Sequence, residues 1–215
     1  MNFRERLNED ELMDDLSRPD HEFAQAYREL EIINRWLGGL RAIERFLPRI
    51  ENPLILDVAA GACDISEKLL NRMPCRIVVL DRNARGLKLA RRSLPVVGDA
   101  FAPPFPDETF DVVMASLFFH HLSDEECVRV LRHMWRLARR SVLINDLHRH
   151  PLAYFSIRTL SAVFSKSAMF RHDAPVSVRR AFRPQELAAI ANKAGIPAKL
   201  FRSFPYRLVL VAEKS

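Results

Sequence analysis

The chain has 215 residues, 48% of them hydrophobic and 28% charged, with only 6 glycines; that is room for one substantial core and excludes a disordered chain. A net charge of +6 would suit a polyanion, but the arginines are scattered and nowhere exceed pairs such as Arg91-Arg92, Arg139-Arg140 and Arg179-Arg180, so the charge reads as solvated helix faces rather than a nucleic-acid patch. Three cysteines with no CxxC spacing exclude a disulfide framework, and no apolar leader or run of ~20 apolar residues occurs, so a cytoplasmic protein without a transmembrane segment is expected.

Residues 1 to 50 carry helical periodicity. Asp10 to Asp15 is acidic, and Phe23, Tyr27, Leu30, Ile33 and Leu37 recur on one face. Gly38-Gly39 breaks the helix, and Leu40, Ile43, Phe46 and Leu47 restart it before Pro48. This stretch is expected to form an N-terminal helical lid on a domain running from 51 to 215, with Tyr27 and Asn34-Arg35-Trp36 closing a pocket from that side.

From Leu54 the pattern changes to strands alternating with helices. Leu54 to Val58 reads as a short apolar strand buried on both faces, and Ile77 to Asp81, Pro95 to Asp99, Phe110 to Ala115 and Ser141 to Asp146 read as the strands that follow it. Helices are predicted through Leu69-Leu70, through Leu87, Leu89 and Ala90, and from the capping box Ser123-Asp124-Glu125-Glu126 onward. That last helix would turn Cys127, Leu131, Met134, Trp135 and Ala138 inward. Residues 147 to 183 form an insertion with an apolar helix from Leu152 to Phe164, followed by a helix opening at Pro184. The chain ends in a hairpin, Ala198 to Phe204 and Tyr206 to Glu213, joined at Pro205. The expected fold is α/β: a Rossmann-like, doubly wound, seven-stranded and mostly parallel sheet closed by a C-terminal antiparallel hairpin strand.

Open sheets of this kind bind ligands beyond the carboxyl ends of their strands. Asp57, Gly61, Asp81 and Asp99 fall at successive strand ends. Gly61 leaves room for close ligand approach, Asp81 is spaced to grip ribose hydroxyls, and Asp99 can accept from an exocyclic amine. A dinucleotide fold would need three loop glycines and an acid-free helix N-terminus for pyrophosphate. This loop, Ala59-Ala60-Gly61-Ala62-Cys63, offers one glycine. Asp64 behind it repels phosphate and suits a ligand carrying an ammonium and a sulfonium.

Four segments carry a family resemblance: Leu-Asp-Val-Ala-Ala-Gly-Ala-Cys-Asp-Ile (56 to 65), Val-Leu-Asp (79 to 81), the run from Gly98 to Val113, and Ser-Leu-Phe-Phe-His-His-Leu (116 to 122). With these the chain resembles the class I S-adenosylmethionine-dependent methyltransferases. It is most similar to the small-molecule branch that includes the ubiquinone/menaquinone C-methyltransferases and many O-methyltransferases. The resemblance implies S-adenosyl-L-methionine as cofactor. It also implies that Asp57, Ala59 and Gly61 hold its methionine part, Asp81 with Arg82 its ribose, Asp99 and Ala100 its adenine, and that Ser116 edges the methionine. Ala59 and Cys63 stand where glycines are often found in such loops.

Methyl transfer to a hydroxyl or acidic carbon also needs a proton removed, which suits histidine. His120 and His121, after the fourth strand, are the catalytic candidates; the plainer alternative is a helix cap or a core hydrogen bond. His148, His150 and His172-Asp173 fall in the insertion. Trp36, Phe119, His148 and His172 are the acceptor-contact candidates, with Phe118 and the apolar insertion helix suggesting greasy pocket walls. No HxxxH or clustered carboxylate spacing accompanies the histidines, so no metal is expected. The expected reaction is methyl transfer to a small apolar or aromatic acceptor, by O-methylation of a phenolic or enolic hydroxyl, with C-methylation of a quinone-type ring as the alternative. An RNA methyltransferase is disfavoured because Ser116-Leu117-Phe118-Phe119 stands where base-amine enzymes carry Asn/Asp-Pro-Pro-aromatic. A non-catalytic partner protein is disfavoured because the three strand-end acids are retained. Oligomeric state cannot be read from these residues.

Overall fold

The computed structural model describes residues 2–214. Seven strands form one sheet: β1 (Leu54–Val58), β2 (Arg76–Asp81), β3 (Leu94–Val97), β4 (Phe110–Ser116), β5 (Ala138–Leu147), β6 (Lys199–Ser203) and β7 (Arg207–Glu213). Their spatial order is β3-β2-β1-β4-β5-β7-β6. Pairing is parallel from β3 through β5, and β7 alone runs against its neighbours on both sides. The order reverses between β1 and β4, which opens a crevice at their carboxyl ends.

Helices cover both faces. Alternating strand residues separate the two cores: Leu56, Val58, Val142, Ile144, Leu208 and Leu210 face one layer, and Ile55, Leu143 and Val209 the other. The first layer contains α5 (Asp124–Leu137) and α8 (Pro184–Ala194); the second contains α2 (Gly39–Phe46) and α3 (Asp64–Leu70). α1 (Asp20–Trp36), α6 (Pro151–Phe164) and α7 (Ala168–Arg180) lie over the carboxyl edge of the strands with a 3-10 turn at Leu12–Asp14. The helical N-terminus is therefore split: α2 is part of the sheet's packing layer, while α1 and the turn face the crevice. Among the described residues no helix is long and apolar enough to cross a membrane.

Local chemistry explains where several elements start and stop. α5 opens on the expected capping box, with Ser123 Oγ accepting from Glu126 N–H and Glu126 accepting from Ser123 N–H at 2.8 Å. α6 and α8 each begin at a proline, where the missing N–H is not needed, and α8 stops at Gly195 in the left-handed region.

Three expectations are corrected. The helix through Leu87, Leu89 and Ala90 is only α4 (Ala84–Leu87). The Glu67 carboxylate accepts from the N–H groups of Arg91, Arg92 and Ser93, which draws the chain out of helix, and Leu89 is exposed. In α5 the inward residues are Cys127, Val130, Leu131, Met134 and Leu137; Trp135 is half-buried at the edge, and Ala138 already belongs to β5. The insertion holds a second helix, α7, which no apolar period in the sequence announces.

Candidate functional site

The crevice is a single cavity of about 870 Å³. Asp57, Ala59, Gly61, Asp64, Asp81, Arg82, Asp99, Ala100 and Ser116 line it, and so do His120, His121 and His148. The strand-end residues predicted to share a ligand do share a space.

The loop between β1 and α3 is wound tightly. Ala59, Gly61 and Cys63 all have positive φ, at 56°, 52° and 59°. A non-glycine residue held there costs about 1–2 kcal/mol, so the surroundings must fix it. Asp81 does part of this: its Oδ2 accepts from Gly61 N–H at 2.8 Å and its Oδ1 from Asn83 N–H at 2.7 Å. Gly86 does the rest. A Cβ on Gly86 would sit 2.0 Å from the carbonyl oxygen of Gly61, whereas a Cβ on Gly61 would meet nothing within 4 Å. The open side of Gly61 is the cavity, and Gly86, which no motif singles out, is what lets the loop lie there.

Asp57 is buried, with Ser66 Oγ donating to its Oδ2 at 2.6 Å. Its Oδ1 is also buried and has no partner. Burial, and then the carboxylates of Asp64 and Asp81, push its pKa up to about 7. Asp64, also raised by burial, is paired with Lys68 at 3.4 Å. Three acids and an orphaned buried acceptor around one cavity call for a cationic ligand with N–H donors, and they oppose a pyrophosphate. An aminoacyl sulfonium nucleoside fits this donor set. Asp99 is exposed and folds its Oδ1 back onto Phe101 N–H at 2.9 Å, leaving its other oxygen free. Ser116 Oγ accepts from Asn145 Nδ2 at 2.8 Å.

The histidines that line the same cavity are built into a carboxylate cluster. His120 Nδ1 lies 2.7 Å from Asp146 Oδ1, while its backbone N–H donates to Asp146 Oδ2 at 3.1 Å. Burial raises the Asp146 pKa, but His120, the Leu147 N–H and His121 outweigh it and hold the acid below its ordinary range. His121 Nδ1 lies 3.0 Å from Asp14. Burial would lower the His121 pKa, yet Glu11 and Asp14 carry it above the ordinary histidine value. Both Nε2 atoms turn toward Glu11, at 3.5 Å from His120 and 3.9 Å from His121. Glu11 and Asp14 come from the N-terminal turn, which Asp173 of α7 anchors by accepting from Leu12 and Met13 N–H at 2.8 and 3.0 Å. Nothing in the spacing of Glu11, Asp14, Asp146 and Asp173 linked them to the histidines. The only hint was the acidic run from Asp10 to Asp15.

Two acceptor-contact expectations are corrected. Phe119 is fully buried in the core beneath the cavity, because the 3-10 turn Phe119–His121 points it down between β4 and α5; its neighbour Phe118 lines the cavity instead. His172 lies on the outer side of α7, exposed and paired with Glu9 and Asp173 at 3.6 and 2.9 Å. His148 does line the cavity, and burial, with Arg202 and His150, lowers its pKa. The Trp36 side chain falls outside the described residues.

Fold and cavity together define a nucleoside-binding enzyme of the Rossmann-like methyltransferase class. A family model described as "Methyltransferase domain" matches residues 55–141. The demethylmenaquinone methyltransferase of Roseiflexus castenholzii is 30% identical over 173 residues, covering 72% of this chain and 70% of that protein. The enzyme of the same name from Thermotoga maritima is 33% identical over 132 residues, covering 54% of this chain and 57% of that protein. A SAM-dependent methyltransferase from Aquifex aeolicus superposes with a TM-score of 0.67 at 15% identity, over 91% of this chain and 98% of that one, a likeness of fold. The chain belongs to the S-adenosylmethionine-dependent methyltransferases, in the branch of its demethylmenaquinone methyltransferase relatives, and S-adenosylmethionine is its cofactor.

Proposed function

We propose that the protein methylates a small aromatic or enolic acceptor, using the strand-end acids for the cofactor and the histidine–carboxylate cluster for the acceptor. In this reading the Asp57 carboxylate takes the cofactor's ammonium, Asp81 with Arg82 the ribose and Asp99 with Ala100 the adenine. Ala59, Gly61, Asp64 and Ser116 then enclose the methionine chain and sulfonium.

The acceptor lies between that half of the cavity and His120, His121 and Glu11, against Phe118, Ile157, Leu160 and Val178. Transfer is an in-line displacement, so alignment and exclusion of water supply much of the acceleration. The remaining requirement is an acceptor oxygen without its proton, and the cluster is where that proton is lost. The observation that carries the reading is a conjunction: acids matched to a sulfonium nucleoside and two carboxylate-held imidazoles line one cavity.

O-methylation of a phenolic or enolic hydroxyl is the first reading. C-methylation of a hydroxyquinone-type ring is the second, favoured by the names of the relatives; deprotonating the ring hydroxyl also makes the adjacent carbon nucleophilic. Incubating a panel of phenols, enols and hydroxyquinones with methyl-labelled cofactor tests both, since the product's methyl carbon is an ether carbon in one case and a ring-bound carbon in the other. Cofactor binding without transfer to any member of such a panel would refute the acceptor class.

A further inference from the structure

We propose that Glu11, His120 and His121 form a binding site for one divalent first-row metal ion of the zinc type, and that this ion activates the acceptor. The inference rests on the acceptor reading above and supplies its chemistry. It departs from the expectation of no metal, because Glu11 comes from a distant part of the chain and no local spacing joins it to the histidines.

The three donor atoms lie close enough to share one ion: His120 Nε2, His121 Nε2 and the Glu11 carboxylate are all within 4.8 Å of one another. Their closest separations, 3.5 and 3.9 Å, are too long for charge-assisted hydrogen bonds, which run at about 2.7–2.9 Å. They suit ligands of a shared ion. Bonds of ~2.0–2.1 Å at tetrahedral angles put neighbouring donors roughly 3.4 Å apart.

The second observation is the state of Glu11 itself. It is 5% exposed, and its Oε1 is buried with no hydrogen-bond partner. A carboxylate so withdrawn from water needs a cation, and the two imidazoles beside it stay 3.5 and 3.9 Å away, beyond a charge-assisted hydrogen bond. The nearby Arg180 does not serve it: its guanidinium is spent on the carbonyls of His120, His121 and Glu9 and on Asp14.

The third observation is the outer shell. Metal-binding imidazoles characteristically have the far ring nitrogen held by a carboxylate, which fixes the ring and raises its basicity. Here both do: Asp146 holds Nδ1 of His120 at 2.7 Å and Asp14 holds Nδ1 of His121 at 3.0 Å. All three donors line the cavity, which gives the ion an entry path and leaves a fourth position facing the acceptor.

Two nitrogens, one oxygen and an open position make a Lewis-acid site. The ion binds with both Nε2 atoms deprotonated. The acceptor hydroxyl takes the open position and releases its proton to solvent. The oxygen, or in the second reading the adjacent ring carbon, then attacks the sulfonium methyl; the sulfur–carbon bond breaks with its electron pair staying on sulfur.

Titration of the chelator-treated protein with Co(II) tests the site without reference to turnover. The expected result is saturation at one equivalent with visible absorption of a low-coordinate nitrogen–oxygen site, displaced by Zn(II). Glu11→Gln keeps the shape of the side chain and should weaken Co(II) by at least ~10-fold, and Asp14→Asn by ~10–100-fold as an outer-shell change. Calorimetry with S-adenosylmethionine, run on the same samples, should give the same heat in wild type and Glu11→Gln. A cobalt spectrum no different from the aqueous ion, or equal Co(II) affinity in Glu11→Gln, would overturn the metal site. A cobalt site that forms in a protein showing no heat with the cofactor would leave the metal standing and bring down the methyl-transfer reading instead.

Discussion

Replacing Asp57 by asparagine should move stability and cofactor affinity in opposite directions. Folding raises the Asp57 pKa from 3.8 to about 7, so between those values the folded chain keeps a proton that the unfolded chain has released. Stability of the ligand-free protein therefore falls as pH climbs from about 4 to about 7. A rise of about three units at ~1.4 kcal/mol each makes the ionised carboxylate, held by Ser66 alone, cost up to about 4 kcal/mol at pH 8. The substituted amide would still accept from Ser66 Oγ and would place its N–H where Oδ1 now has no donor. For a chain of this size, at 2–4 °C per kcal/mol, the ligand-free variant should melt roughly 10 °C higher at pH 8 and no differently below about pH 4. The same N–H faces the cofactor's ammonium, so a charge-assisted bond worth ~1.5–3 kcal/mol is lost, and affinity should fall about 10- to 150-fold. Differential scanning fluorimetry across pH, with and without S-adenosylmethionine, reads both effects in one experiment. A variant that melts below wild type at pH 8 without ligand, or that binds cofactor as tightly, would refute the reasoning.

Gly86→Ala should unfold the cofactor loop, since its Cβ has 2.0 Å to the Gly61 carbonyl; a loss of ~2 kcal/mol or more in denaturant melts, with cofactor binding abolished, is expected. Gly61→Ala has free space but a φ of 52°, so it should cost only ~1 kcal/mol in stability while intruding on the ligand, and calorimetry separates the pair. Phe119→Ala should cost about 3–5 kcal/mol as a core truncation, whereas Phe118→Ala, half-buried and packed edge-on against Phe119, should cost less stability and raise the acceptor KM; the reverse pattern in melts and kinetics would return Phe119 to the acceptor wall. Asp173→Asn should speed hydrogen exchange at Leu12 and Met13, whose N–H groups it anchors, and lower kcat with cofactor affinity intact, as checked by exchange mass spectrometry and steady-state rates.

The strands and the acids at their ends were legible because both are local. A buried parallel strand writes itself as a run such as Leu54 to Val58, and Asp57, Asp81 and Asp99 are each fixed by the strand they end. The histidine cluster was legible only in half. His120 and His121 follow β4 and could be placed, but Asp146 is at the end of β5, Glu11 and Asp14 belong to the N-terminal turn, and Asp173 belongs to α7. What joins them is packing across the carboxyl edge of the sheet, which leaves no period in the sequence. Phe119 failed for a related reason. Within a 3-10 turn successive side chains diverge by about 120°, so the identity of the residue that faces the cavity depends on where the turn starts, and Phe118 and Phe119 look alike in the sequence.

On the proposed reading that same geometry gives the N-terminal turn a part in chemistry rather than in covering alone. His120 and His121 are held from behind by Asp146 and Asp14, but among the described residues Glu11 is the acid that faces both Nε2 atoms, and Glu11 reaches them because Asp173 fixes the backbone of the two residues after it. On the proposed reading the acceptor half of the cavity is complete only when the N-terminal turn is docked on α7, whereas the cofactor half is built on β1, β2 and the Gly61 loop, which meets the turn in the apolar cluster that Leu12, Met13 and Ala62 share. Removing the turn should separate the two activities of the site: cofactor binding would persist in a chain that no longer transfers the methyl group.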